Sequence, residues 1–213
     1  MKKVLIFLLL LVVGIVGYSV LERKSTTTNN LVKQIANKTP HVISIYRFGD
    51  FPESSAKKLE VALKTYFPKV EYKTEILPLP KEHYNKERNR YLGTGLFDAL
   101  GKARGNNAAI GLTNYIIYKP NEISKTFGIM GVSPVGKYIC VVSNKIPRGG
   151  RTQTDDNLVK LSLHELGHSF GLPHCPDQHC FMVDAEHKMK LPQSNYFCPK
   201  CRKYLNDKGW SIK

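Results

Sequence analysis

Apolar and polar positions change their rhythm several times along this chain. From Val4 to Leu21 there is no charged residue, and most positions are apolar. That run is long for the apolar region of a secretory signal, ~7–15 residues, and short beside the upper range of a spanning helix, about 17–25. Residues 1–21 therefore read as a signal anchor or a signal peptide, the anchor being favoured. The protein is expected to be anchored in a membrane by this N-terminal helix, or exported, with its folded part outside the cytoplasm. Residues 22–39 are polar and read as a tether, which leaves 40–213 as the folded domain.

Within that domain the periods are those of alternating strands and helices. His41–Phe48 is rich in Val, Ile and Tyr and predicts a strand. In Pro52–Phe67, Ala56, Leu59, Leu63 and Tyr66 recur at helical spacing. Lys69–Pro80 alternates at Val70, Tyr72 and Ile76, a second strand. Asn89–Arg104 predicts a second helix through Tyr91, Leu92, Leu96 and Leu100. Ala108–Tyr118 is largely apolar and predicts a central strand, and Phe127–Ile146 predicts one or two more. Asp155 or Asp156 is placed to cap a helix that begins near Asn157. This order predicts an α/β (α+β) fold, a mixed, mostly parallel sheet flanked by helices. After Gly171 periodicity fades and Cys, Pro, His and Lys accumulate. This segment, about residues 172–205, is expected to owe its order to a bound metal or to the main domain, and reads as a small Cys-rich subdomain.

Composition narrows the function. The chain has 213 residues and a formal net charge of +15. Such a surface attracts anions, but its basic residues are scattered. The densest run, Lys81–Arg90, is diluted by Glu82 and Glu87. No aromatic RNA-binding signature is present, so nucleic acid is not expected as a partner, and the domain is expected to act as a monomer.

The chemistry concentrates in HELGHSFGLPH, His164–His174. On a helix, His164 and His168 are i and i+4 and project from one face. Gly171 is suited to end the helix in the left-handed conformation, letting His174 return as a third ligand. Three neutral imidazoles suit zinc and leave an open position. Glu165, beside that face, is placed as general base for a zinc-activated water attacking a peptide carbonyl. A zinc metallopeptidase acting on peptides or proteins follows. The alternative is a catalytically silent, zinc-stabilised module whose basic surface binds anionic lipid or nucleic acid.

Cys175 and Cys180 form C-x4-C, and Cys198 and Cys201 form C-x2-C. This is four-thiolate zinc spacing, with two disulfides as the rival arrangement. The histidines and cysteines together exceed one tetrahedral ion, so two zinc ions are expected, one catalytic and one structural. Cys140, in YICVV, reads as a buried strand residue. His179 and His187 read as surface residues; Tyr138 and Tyr196 are candidate substrate or oxyanion contacts, with a structural role favoured.

HELGHSFGLPHCPDQHCFM (His164–Met182) and FCPKC (Phe197–Cys201) together resemble the archaemetzincin family of zinc metallopeptidases, whose signature is HExxHxxGxxHC-x4-C-x-M followed by C-x2-C. His164, Glu165, His168, Gly171, His174, Cys175, Cys180, Met182, Cys198 and Cys201 all match. Weaker similarity runs through NRYLGTGLFDAL, AIGLTNYIIY and FGIMGV, so the resemblance covers roughly residues 40–205. It implies a mixed sheet flanked by helices, a catalytic zinc on the three histidines and a second zinc on the four cysteines. It also implies a methionine turn at Met182 beneath the ligands, and peptidase or aminopeptidase-like activity. The chain departs from the family in a shorter Met182–Cys198 gap, fifteen residues, and in its N-terminal apolar run.

Overall fold

The computed structural model describes residues 40–184 and 193–212. Its main sheet contains β1 (Ile43–Phe48), β2 (Val70–Leu77), β5 (Ala108–Thr113), β8 (Gly131–Val132) and β9 (Ile139–Ser143), in the order β2-β1-β5-β9-β8. The pairings β1/β2, β1/β5 and β5/β9 are parallel, and the edge strand β8 runs antiparallel to β9. A mixed, mostly parallel sheet is thus what the chain forms. β5 is central and buried throughout, as its unbroken apolar run requires of a strand covered on both faces.

Period-two alternation sorts the sheet's side chains into two cores. Ile43, Ile45, Ile110, Leu112, Cys140 and Val142 pack on one face with the helices α1 (Glu53–Lys64) and α3 (Asp155–Ser169). Tyr46, Phe48, Ala109 and Val141 pack on the other with Leu100 of helix α2 (Phe97–Ala103). Cys140 is fully buried, and burial pushes its thiol well above the usual value. A second small sheet contains β3 (Tyr84–Asn85), β4 (Arg90–Leu92), β6 (Ile116–Tyr118) and β7 (Gly128–Ile129), in the order β3-β4-β6-β7.

Several expectations are corrected. The helix over 89–104 is shorter: Tyr91 and Leu92 lie in β4, a 3-10 turn spans Gly93–Leu96, and only Phe97–Ala103 is α-helical. Gly93 and Gly95 break the propagation that the spacing of Tyr91, Leu92 and Leu96 suggested. The run 108–118 is two strands in separate sheets. Ile76 is 51% exposed; it stands opposite Arg47, just past an irregularity in the β1/β2 register. Thr154, not Asp155 or Asp156, caps α3, its side chain accepting the Asn157 N–H at 3.2 Å. The C-terminal segment contains a helix, α4 (Pro199–Asp207), started by proline at its first position.

The expectation of membrane localisation is also corrected. Among the described residues no helix is long and apolar enough to cross a membrane. The longest, α3, has 15 residues, whereas about 20 mostly apolar residues are needed to span the hydrocarbon core. The run 1–21 and the tether 22–39 lie outside the described residues.

Candidate metal centres

α3 carries most of the first site. Leu158, Leu161, Leu163 and Leu166 anchor the helix in the core, and His164 and Glu165 are buried with them. The helix ends in a Schellman arrangement: the Leu172 N–H reaches the Gly167 carbonyl, and the Gly171 N–H reaches that of His168, both at 2.9 Å. Gly171 has φ of 104°, a conformation that favours glycine. The cap residue Phe170 stacks on Trp210 with ring centroids 3.8 Å apart. The chain reverses there and brings His174 back toward His164 and His168, so the ligand atoms of all three lie within 4.8 Å of one another.

Hydrogen bonding fixes how these rings present themselves. Nδ1 of His164 lies 2.7 Å from the Phe181 carbonyl oxygen, and Nδ1 of His168 lies 2.8 Å from that of Leu172. A carbonyl only accepts, so each Nδ1 carries the proton and each Nε2 carries a lone pair. Nδ1 of His174 lies 3.5 Å from Oδ2 of Asp184. The Nε2 atoms of His164 and His168 are 3.1 Å apart. Two lone pairs that close repel unless a cation lies between them. Nitrogens on one tetrahedral zinc would be about 3.3 Å apart, so the donor set fits such an ion. Burial, and then neighbouring His168, depresses His164 to about 4. His168 is lowered as well, chiefly by burial. Both rings are therefore neutral at pH 7, as ligands must be.

Glu165 points from the same helix turn. Burial pushes its carboxyl up to about 8, with Lys119 opposing, a perturbation typical of acid–base groups. Met182 lies against Gly167, where an added Cβ would meet its Sδ and come within 3.1 Å of its Cε. The thioether thus packs on the helix between the two histidine ligands.

The second group is Cys175, Cys180, Cys198 and Cys201, all buried and with sulfurs within 4.8 Å of one another. None is in a disulfide. Sγ of Cys175 and Cys198 are 3.7 Å apart, close to the roughly 3.8 Å separating two thiolates on one tetrahedral zinc. Backbone N–H groups of Met182 and Cys198 donate to Cys180 Sγ at 3.5 and 3.4 Å. Burial pushes Cys180 up to about 11 and raises Cys201 further. Four sulfurs packed this closely can become thiolates together only around a cation.

All ten signature residues are thus brought to these two clusters or to the packing beneath them. Tyr196 donates to Asp177 at 2.9 Å, and Tyr138 packs on Phe170 and Trp210. His179 is exposed, and His187 lies outside the described residues. Sequence reasoning missed Asp184 and Gly131. An acid two residues past Met182, and a glycine inside an apolar strand, were the available signals.

The model of peptidase family M54 matches residues 79–207. The archaemetzincin of Methanopyrus kandleri is 30% identical over 154 residues, covering 71% of this chain and 86% of its own. That of Thermococcus kodakarensis is 31% identical over 134 residues, 57% of this chain and 69% of its own. The crystal structure of the M. kandleri archaemetzincin superposes with a TM-score of 0.65 at 27% identity, covering 79% of this chain and 95% of that one. The Archaeoglobus fulgidus archaemetzincin, solved with malonate, shares the fold with a TM-score of 0.62 at 20% identity, over 76% of this chain and 99% of its own.

Proposed function

Because this chain belongs to peptidase family M54, the archaemetzincins, and is a zinc metallopeptidase, we propose that His164, His168 and His174 hold its catalytic zinc and that Glu165 is the general base. Cys175, Cys180, Cys198 and Cys201 hold a second, structural zinc. Residues 40–213 are the peptidase domain, with the zinc subdomain at about 172–205. The alternative of a silent binding module gives way to family membership. The observation that carries the reading is the convergence of one ring nitrogen from each of the three histidines, two of them on the helix that also carries the buried Glu165.

Zinc, when bound, supplies a Lewis-acid charge that makes water a nucleophile near neutral pH and polarises a carbonyl. The chain's own residues do the rest. The Nδ1 bonds hold the rings with Nε2 turned inward. Buried and isolated, Glu165 is protonated near neutrality; a positive charge at the histidines converts it to the carboxylate that a base requires. It accepts a proton from the water adding to the amide carbon. It returns that proton to the departing nitrogen as the C–N bond breaks. The substrates are peptides or proteins.

The test is Glu165→Gln. Zinc content is expected to match the parent, while cleavage of a proteome-derived peptide library falls by about 10²-fold or more. Parent-like cleavage by this variant would remove Glu165 from the role of base.

A further inference from the structure

Gly131 lies on β8, the edge strand beside the active-site helix. Its φ is not positive, so no left-handed turn demands glycine there. The demand is for space. A Cβ built on Gly131 would stand 2.6 Å from both Cγ and Cδ of Glu165 and would overlap Oε1. Turning the carboxylate about its last bond would clear the oxygen but leave Cγ in place, so the whole side chain would have to leave its rotamer.

The two backbones are held in place, so it is the Glu165 side chain that must give. Gly131 pairs with Val142 and Val132 with Val141 on β9, and the Met130 carbonyl accepts from the Ser143 N–H at 2.7 Å. On the other side, α3 is capped by Thr154 and closed at Gly171, and it packs on β9 and β8. The absent side chain of Gly131 is the place where the Glu165 side chain rests.

We propose that Gly131 is a positioning residue for Glu165: the bare backbone of the edge strand fixes the carboxylate beside the histidine triad, and any side chain at 131 displaces it. This rests on the reading of Glu165 as base, and the two fail in different measurements.

The experiment is a double-mutant cycle in the full chain with Gly131→Ala, Glu165→Ala and the pair. Gly131→Ala is expected to lower the Tm by several degrees when Glu165 is present and to leave it unchanged when residue 165 is alanine. Zinc content is expected to be unaffected, since no ligand is altered. On the peptide library, Gly131→Ala is expected to lower kcat about 10²-fold with KM little changed, as loss of a proton-transfer group does. Equal Tm losses in both backgrounds, or parent-like kcat in Gly131→Ala where Glu165→Gln is inactive, would overturn the proposal. If Gly131→Ala alone does not fold, the pair should, because the colliding atoms are gone; a pair that also fails to fold overturns it. A non-additive Tm cycle together with an active Glu165→Gln keeps the positioning contact and discards the base.

Discussion

His164 Nδ1 and the Phe181 carbonyl oxygen lie 2.7 Å apart, which ties the active-site helix to the segment carrying the cysteines. Phe181 is flanked by Cys180, and its N–H donates to Tyr196 O at 2.7 Å. The next residue, Met182, accepts from the Cys175 N–H at 2.7 Å and sends its side chain onto Gly167. The two donor sets are chemically separate, but a few residues of backbone serve both. The segment that cysteines position supplies the hydrogen bond orienting one histidine and the floor beneath two.

Separate donor sets predict separate losses. His164→Gln removes one imidazole and leaves all four thiols in place. On the two-ion reading, metal analysis should find one zinc fewer per chain, with the thiol-bound ion retained and no peptide cleavage. Loss of both ions from a variant still folded by circular dichroism would show that the clusters do not bind independently.

Glu165 gives the metal-free protein a pH signature. Burial holds its folded carboxyl at about 8 against an ordinary 4.5. Between those values the folded chain binds a proton that the unfolded chain does not. This contribution is full below pH 4.5 and lost as pH rises through 8. His164 acts oppositely: at about 4 folded and 6.5 unfolded, its contribution is present above 6.5 and lost as pH falls through 4. His168 is shifted the same way. The two slopes offset each other below 6.5, and above it Glu165 acts alone. Metal-free protein should lose about 2 kcal/mol between pH 6.5 and 8, at ~1.4 kcal/mol per unit. Glu165→Gln should be flat there. Urea melts across the window measure both, and a flat parent curve would refute the assignment.

What was legible in the sequence is what periodicity and ligand chemistry encode. β5 announced itself as central through its largely apolar run, and every residue from Ala108 to Thr113 is buried. His164, His168 and the cysteine pairs were legible because coordination chemistry restricts both residue type and spacing. The end of α3 was legible through Gly171. The orienting carbonyls of Phe181 and Leu172 were not, since a carbonyl has no residue identity to read. Nor were the contacts of Gly131 with Glu165 and of Gly167 with Met182, because a glycine that makes room for a distant side chain is marked only by what lies opposite in three dimensions. The helix expected over 89–104 failed because Gly93 and Gly95 outweigh apolar spacing shared by a strand and a turn.

Gly167 offers a test in which local propensity and packing disagree. In a helix interior, Gly→Ala alone should stabilise by roughly 0.5–1 kcal/mol. Here the new methyl would overlap the Met182 thioether, which is fully buried. Overpacking of this kind costs about 1–3 kcal/mol, so Gly167→Ala is expected to destabilise, and its Tm should fall below the parent's. In a Met182→Ala background the order should invert, because the space has been cleared. A Tm that rises in the parent background would mean that Met182 moves aside freely.

Asp184 provides the last test, on the third histidine. Its carboxylate lies 3.5 Å from His174 Nδ1. A carboxylate behind a ligating imidazole fixes the ring and makes its other nitrogen a better donor, and losing such a partner typically costs 10–100-fold in metal affinity. Here both side chains are nearly half exposed, 48% and 40%. Solvent screens the pair, so the lower end, about 10-fold, is expected for Asp184→Asn. Competition with a calibrated chelator measures this without any substrate. The four-cysteine ion should stay bound, since all four of its sulfur donors are unaltered. An affinity equal to the parent's would assign the orientation of His174 to the Gly171 turn alone.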